Sequence, residues 1–278
     1  MAKAISTSCL LAVALLVGCT ERSESSAGPD RVMHPISSPQ WPDPIGRIPL
    51  PRDWTFDAEH EPGAATITGP DGLRVTDVPP AMFMFARDPG MRRAYRKAGQ
   101  KVRRFRSMDD VVKKDLVPMA KEGGNRLVNQ FDVPELAQYD ERYHGLLYQA
   151  VPSKMAFHAV ATEWQDAEGN PSLVLIRLFV SKAQGFESWG YYSHLLEASP
   201  SAYEKAKEDL LYAVLNTEHN RAFIADYNRK EKQKAEASWR RHNQRMRAQQ
   251  RNFEAHQQRM RTQRENFDAQ QKAYRENS

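Results

Sequence analysis

The chain has very little cysteine and no long apolar segment beyond its first residues. Its 278 residues include only two cysteines, Cys9 and Cys19. No cysteine follows Cys19, so the chain beyond it can form no disulfide and the folded part must be held by its core alone. No later apolar run reaches the roughly 20 residues that a membrane-spanning helix needs. Signatures of serine hydrolases, zinc metalloproteases, phosphate loops and cysteine metal sites are absent too, and the sequence predicts no cofactor and no metal.

The first nineteen residues have the layout of an export signal. Lys3 supplies a short positive region, and residues 10–17 form an unbroken apolar block of signal-peptide length. The block ends in Leu16-Val17-Gly18-Cys19, which resembles the lipobox of bacterial lipoprotein precursors. In that family the cysteine receives a diacylglyceryl group, and the chain is cut just before it. The resemblance implies a signal peptide over residues 1–18 and a lipidated Cys19.

Two other interpretations of this segment stay open. An ordinary signal peptide cut nearby would leave Cys19 as a free thiol or remove it, and an uncleaved short anchor is disfavoured by the length. Each buried methylene adds about 0.8 kcal/mol, so two or three acyl chains would hold the protein stably on a bilayer. In Gram-negative lipoproteins an aspartate after the cysteine favours the inner membrane, and Thr20 stands there instead. The predicted location is the cell envelope, on the periplasmic face of the outer membrane if the cell is Gram-negative.

Charge is distributed unevenly along the chain, whose net charge is +5. Residues 229–278 hold 14 basic and 6 acidic residues, and residues 87–106 hold 9 basic residues and one acidic residue, so each segment carries +8. Both segments are candidates for contact with anionic lipid or lipopolysaccharide phosphates. For residues 87–106 the alternative is a solvated helix face balanced by the acidic remainder. Nucleic acid is not expected as a partner, because the signal peptide exports the chain.

Composition and periodicity divide the mature chain into three parts. Residues 19–46 are small, polar and rich in proline, which predicts a flexible tether behind the lipidated cysteine. Residues 47–216 predict a globular domain, and residues 217–278 predict a long basic helix rich in Gln and Arg. Turn signals between alternating apolar segments predict an α+β fold, with a mainly antiparallel sheet covered by helices.

The first half of the globular part gives several local predictions. The turn at Gly69–Gly72 predicts a hairpin, and Pro79-Pro80 is expected to end its second strand. A short helix is expected near residues 90–98. Ser107 is expected to cap a further helix that Pro118 shortens or kinks.

The clearest sheet signal lies in the second half. Residues 157–166, 173–180 and 189–196 predict strands joined by short connections, hence an antiparallel meander. The middle segment is almost wholly apolar, as expected for a central strand covered on both faces. Ser201 and Glu204 predict a capping box at the start of a helix that covers the sheet. This strand-strand-strand-helix order resembles the PsbP-like sandwiches of some exported proteins, which implies only a layered α+β body.

The tail contains an internal repeat. No Gly or Pro follows Pro200, so the chain from about Thr217 can form one helix of roughly 90 Å. Residues 239–252 align with residues 253–266 at seven identical positions of fourteen. Large apolar residues recur every seven positions, as in a coiled-coil seam. They are Trp239, Met246, Phe253, Met260, Phe267 and Tyr274.

Polar residues occupy the other seam positions. Three residues beyond each apolar residue stand His242, Gln249, His256, Gln263 and Gln270. One apolar residue per heptad makes a stripe too thin to hold a dimer by burial alone. Three interpretations follow: pairing with itself or with an envelope partner, lying on an anionic surface, or remaining a solvated and partly frayed helix.

Candidate catalytic residues are few. His158, Glu163 and His194 fall in predicted strands, with Tyr191 and Tyr192 beside the last, and a pocket on the sheet would have to gather them. A lone histidine in a strand is more often structural. In the tail, His242 and His256 would lie about 21 Å apart along a helix, too far to share a metal.

The sequence therefore favours a lipid-anchored cell-envelope lipoprotein with a non-catalytic binding or structural role. Its tail would serve self-association or contact with a partner. The alternative is an exported enzyme of unrecognised family with a site on the sheet near His158 and His194.

Overall fold

The computed structural model describes residues 30–38, 41–57, 64–150, 153–183 and 185–276. The predicted signal peptide and Cys19 lie outside these residues. Contacts divide the chain into two units, with the boundary between Asp226 and Tyr227. The predicted α+β fold is confirmed: the first unit is built on a mainly antiparallel sheet, and a long helix follows.

The elements are named in chain order. The strands are β1 (Arg31–Ser38), β2 (Trp41–Pro51), β3 (Thr55–Phe56), β4 (Ala65–Thr68), β5 (Arg74–Ala86), β6 (Arg126–Asp132), β7 (Lys154–Gln165), β8 (Pro171–Ala183), β9 (Phe186–Glu197) and β10 (Glu218–His219). The helices are α1 (Pro89–Lys97), α2 (Met108–Val111), a π-helical turn (Val112–Leu116), α3 (Val117–Glu122), α4 (Pro134–Leu146), α5 (Tyr203–Leu215) and α6 (Arg221–Glu276).

Two sheets are found in the described part of the chain. The large sheet has seven strands in the order β3-β4-β5-β9-β8-β7-β6, and every neighbouring pair is antiparallel. The predicted meander is confirmed as β7, β8 and β9, and the predicted hairpin as β4 and β5. The small sheet has the order β1-β2-β10.

Strand β8 is the central strand that its apolar sequence predicts. Neighbouring side chains of a strand point to opposite faces, and both Leu175 and Ile176 are fully buried, so both faces of β8 are covered. One face packs against α2 and the π-helical turn through Val111, Val112 and Leu116. Each fully buried side chain of this size contributes about 1.5–3 kcal/mol.

The opposite face of the sheet is covered by α4 and α5. The helix predicted to cover the sheet is confirmed as α5, whose apolar stripe of Tyr203, Ala206, Leu210 and Val214 is buried. Leu136 and Tyr139 of α4 are buried beside them. The outer side of α5 contacts β2 of the small sheet. Helices therefore lie on both faces of the large sheet.

The prediction that the tether extends to residue 46 is wrong. Residues 31–38 and 41–51 form β1 and β2, so the folded body includes this segment and does not begin at Arg47. The composition of this segment gave too little indication that it folds, because it has few apolar residues but these are almost completely buried. Ile45 is 2% exposed and Leu50 is fully buried.

The predicted end of the globular part at residue 216 is also wrong. Glu218 and His219 form β10 and pair with Arg47 and Gly46 of β2. Helix α6 begins only at Arg221, where Asn220 caps it by accepting hydrogen bonds from the backbone of the first turn. The small sheet therefore joins the start of the body to the residues that precede the tail helix.

Two local predictions need correction. Strand β5 continues through Pro79-Pro80, because these prolines lie in a β-bulge where β5 shifts register against β9 and their missing N–H groups are tolerated. Ser201 and Glu204 form no capping box. Tyr203 instead donates its backbone N–H to the carbonyl oxygen of Ser199, and Glu204 pairs with Lys207.

Candidate functional site

His158 and His194 do not share a site. In the β7-β8-β9 register His158 lies opposite Leu178, and Leu178 lies opposite Tyr191. His194 is three positions from Tyr191, so alternation of side chains places it on the other face of the sheet. The predicted enzyme site that uses both histidines is therefore wrong.

The surroundings of each histidine are structural. The ring of His158 stacks on Phe105 with centroids 5.4 Å apart, and burial lowers the pKa of His158. His194 is 7% exposed, and its Nδ1 lies 2.6 Å from a carboxylate oxygen of Asp77. The described residues contain no cluster of His, Cys, Asp or Glu side chains that could hold a metal ion.

Glu163 also has a structural role. Its carboxylate accepts hydrogen bonds from Lys207 at 2.7 Å, from Asn129 at 2.8 Å and from the Tyr203 hydroxyl at 3.3 Å. Burial would raise the pKa of Glu163, but the bonds from Lys207 and Asn129 outweigh it and the pKa is lowered. Glu163 is thus a fixed anion that fastens α5 to the sheet edge.

Sequence reasoning missed a buried ion pair under α4. Arg177 in β8 has no exposed surface, and its guanidinium donates two hydrogen bonds to the carboxylate of Asp140. The Tyr192 ring lies 5.0 Å from the guanidinium carbon. Burial alone would lower the pKa of Arg177, but Tyr192 and Asp140 outweigh it and the pKa is raised. The available signal was a single charged residue within the apolar run of β8.

The basic segment 87–106 is anchored to the body by its inward-facing residues. Arg103 donates two hydrogen bonds to Asp115, at 2.5 and 2.6 Å, and its guanidinium lies 4.2 Å from the Phe83 ring centroid. The Trp189 indole donates to the carbonyl oxygen of Arg103 at 2.8 Å, and the backbone of Phe105 donates to Glu187 at 2.8 Å. These contacts fix the backbone of residues 103–105.

The outward-facing residues of the same segment form a cationic surface, here called the α1 surface. Its exposed members are Arg87, Arg93, Arg96, Lys97, Lys101, Arg104 and Arg106. Within the described part of the chain, none of them forms an ion pair. Asp88, the one acidic residue of the segment, is engaged in accepting the backbone N–H of Met91 at 2.7 Å as the cap of α1. Most of the segment's charge therefore faces solvent.

The tail displays its heptad residues on an exposed helix face. Five of the six predicted seam residues are more than half exposed: Trp239 58%, Met246 51%, Phe253 62%, Met260 54% and Phe267 58%. The side chain of the sixth, Tyr274, lies outside the described set. At 1.5 Å per residue these five side chains mark a stripe about 42 Å long. Helix α6 itself, the predicted tail helix, is confirmed over Arg221–Glu276.

A cleft of about 740 Å³ lies between the small sheet, the β4-β5 turn and α5. Asp209 at its wall pairs with Arg31 at 2.6 Å and with Lys205 at 2.7 Å. The lining also includes Arg52, Asp53 and other charged residues of both signs. This balance of charges selects no one class of ligand.

Comparison with known proteins identifies no family. No family model matches the chain, and no curated protein matches it. Among solved structures it is similar to cyanobacterial PsbP (CyanoP) from Synechocystis sp. PCC 6803, with 11% sequence identity and a TM-score of 0.32. The match covers 72% of this chain and 99% of that chain. A similarity of this size supports no conclusion about function. None of the helices in the described residues is long and apolar enough to cross a membrane.

Proposed function

We propose that the protein is a cell-envelope lipoprotein, held on a membrane by lipid on Cys19, with a non-catalytic binding or structural role. The tail helix makes its contacts. The observation that carries the proposal is the row of five large apolar side chains, each about half exposed or more, at heptad spacing on α6. Exposed apolar patches of this kind mark interaction sites, and heptad spacing favours another helix as the partner.

The charges beside the stripe bear on which helix the tail meets. Taking Trp239 as heptad position a, the flanking e and g positions between residues 243 and 271 are Asn, Gln or Arg, and none is acidic. A parallel pair of tails would place Arg259 of one copy beside Arg264 of the other, which is repulsive. A partner helix with Glu or Asp at these positions would instead form favourable pairs. Self-association must therefore strengthen as salt screens the repulsion, whereas pairing with an acidic helix must weaken.

The anchor is tested first and separately. Mass spectrometry of the mature native protein should show an amino-terminal Cys19 that carries diacylglyceryl. A mature chain that starts at an unmodified residue would refute the lipid anchor. The variant Cys19→Ser should be recovered in the soluble fraction of the envelope.

The tail is tested on the Cys19→Ser chain by sedimentation across a range of salt concentrations. We expect association that depends on the stripe and is lost in the double variant Phe253→Gln, Met260→Gln. The matched control Ala255→Gln, Thr262→Gln changes the opposite side of the same helix and should leave association unchanged. A chain that stays monomeric at all salt concentrations and binds no Glu-flanked heptad peptide would refute the role of the tail.

A further inference from the structure

The body carries a second contact surface, independent of the tail. We propose that the α1 surface docks on a bilayer of anionic phospholipid, with its arginine and lysine side chains meeting the headgroup phosphates. The inference rests on the proposed function in one respect, namely that Cys19 holds the chain at a membrane.

The arrangement separates anchoring residues from displayed ones. Between Lys101 and Arg106 the inward positions hold Val102, Arg103 and Phe105, each half-buried. The backbone of Met84 in β5 donates to the carbonyl oxygen of Lys101 at 2.9 Å and accepts from Arg103 at 3.2 Å. The fold is held here by the buried side chains and the backbone, and the charged groups of Lys101 and Arg106 form no ion pair in the described residues.

Helix α1 is held in the same way. Arg92 is half-buried, and its guanidinium donates to the carbonyl oxygens of Ala86 and Arg87 at 2.8 and 2.7 Å. Tyr95, on the same side of α1, contacts the Phe186 ring edge-on at 6.3 Å. At 100° per residue, Arg93 and Lys97 lie on the side away from these contacts, and Arg96 lies between Arg92 and Arg93. Their cationic groups are therefore held at the surface by a rigid support.

The charge of the surface identifies the chemistry of its occupant. Seven exposed cations without an ion pair in the described residues create a strongly positive field. Such a field attracts phosphates, and polybasic segments bind anionic membranes with about 1 kcal/mol for each Lys or Arg near the surface.

The length of the linker favours a membrane over a distant partner. Asp30 already belongs to the folded body and lies only eleven residues after Cys19. Fully extended, eleven residues span at most roughly 40 Å. The predicted tether to residue 46 would have allowed more than twice this distance. An anchored body is thus confined near the bilayer, where a preformed cationic surface meets headgroups at high local concentration.

The test measures vesicle binding with the full mature chain carrying Cys19→Ser, so that no lipid anchor contributes. Vesicles of phosphatidylglycerol and phosphatidylcholine are compared with vesicles of phosphatidylcholine alone. The surface variant replaces Arg93, Arg96, Lys97 and Arg104 by Gln. The matched control removes four tail charges, with Gln in place of Arg240, Arg241, Arg247 and Arg251.

We expect binding to anionic vesicles only, weakened about 100- to 1000-fold in the surface variant and less than about 10-fold in the tail control. Lys in place of Arg93, Arg96 and Arg104 should preserve binding. Equal losses in both variants would show that only net charge matters and would overturn the proposal. Competition by millimolar inorganic phosphate would indicate a discrete phosphate site and would also overturn the proposal. A dimer that is disrupted only in the surface variant would do the same, because the surface would then bind a second copy of the chain.

Failure of this proposal is distinguishable from failure of the proposed function. The vesicle measurement needs no lipid on Cys19, whereas mass spectrometry of the mature amino terminus needs no vesicle. If the protein is lipidated but its α1 surface does not bind vesicles, the proposed lipid anchor stands and only the proposed second contact is refuted.

Discussion

The ion pair between Arg177 and Asp140 makes a quantitative prediction about stability. The Arg177 guanidinium has no exposed surface, and Asp140 is 2% exposed. In Asp140→Asn the arginine would stay charged in the interior, because a guanidinium keeps its proton in proteins even where it is buried. Removing one partner of a buried pair costs roughly 3–5 kcal/mol. For a domain of this size that corresponds to a fall in Tm of roughly 6–20 °C.

A double variant separates the buried charge from a simple loss of contacts. Adding Arg177→Met to Asp140→Asn removes the unpaired charge while keeping a polar group beside Tyr192. The double variant should therefore be at least about 2 kcal/mol more stable than Asp140→Asn alone. Urea unfolding followed by circular dichroism gives both values. The reasoning is refuted if Asp140→Asn loses less than about 1 kcal/mol, or if the double variant is the less stable of the two.

Three further predictions concern the body. Burial lowers the pKa of His219 to about 3, below its ordinary value near 6.5, so only the unfolded chain takes up this proton as the pH falls between these values. The free energy of unfolding should therefore fall by about 2 kcal/mol on account of His219 between pH 6.5 and 5, and His219→Phe should abolish that fall. Urea unfolding at both pH values measures it, and an unchanged pH dependence in the variant would contradict the prediction. A Cβ at Gly190 would lie 2.8 Å from the carbonyl oxygen of Ala81, so Gly190→Ala should cost about 1–3 kcal/mol by the same assay; no loss would refute the clash. The Tyr191 hydroxyl donates to Asp115 at 2.9 Å, so Tyr191→Phe should cost about 1 kcal/mol and leave vesicle binding unchanged; weaker binding would contradict this.

The large sheet was predictable because its signals are local. The apolar run of β8, the stripe of α5 and the heptads of α6 each express a contact pattern within one element. Burial of both faces of β8 follows directly from eight nearly continuous apolar residues. Such patterns need no knowledge of which other element lies opposite.

The small sheet was not predictable because its pairing is distant. Strand β2 pairs with β10, whose residues follow it by about 170 positions in the sequence. The proline-rich composition of β1 and β2 indicates an extended chain without showing what pairs with it. The same limit applies at Pro79-Pro80, where a bulge against β9 accommodates residues that would end a strand in isolation.

The prediction of a site that gathers His158 and His194 failed for a related reason, namely that it depends on distant pairing. Whether His158 and His194 share a face depends on the register of three strands, which spacing in the sequence does not give. The exposure of the basic segment followed from composition, but its division into anchored and displayed residues did not. The partner of Arg103 is Asp115, which lies beyond the end of the segment.

The small sheet has a mechanical consequence. Its β1 strand enters from the Pro51 end of β2, whereas β10 leaves toward the Trp41 end. With Cys19 anchored as proposed, tension between the bilayer and the tail would pull the two outer strands in opposite senses along β2. Ladder hydrogen bonds run perpendicular to the strands, so this shear strains them together instead of opening them one at a time. The seven-stranded sheet lies outside that load path and would stay folded while the small sheet carries the force.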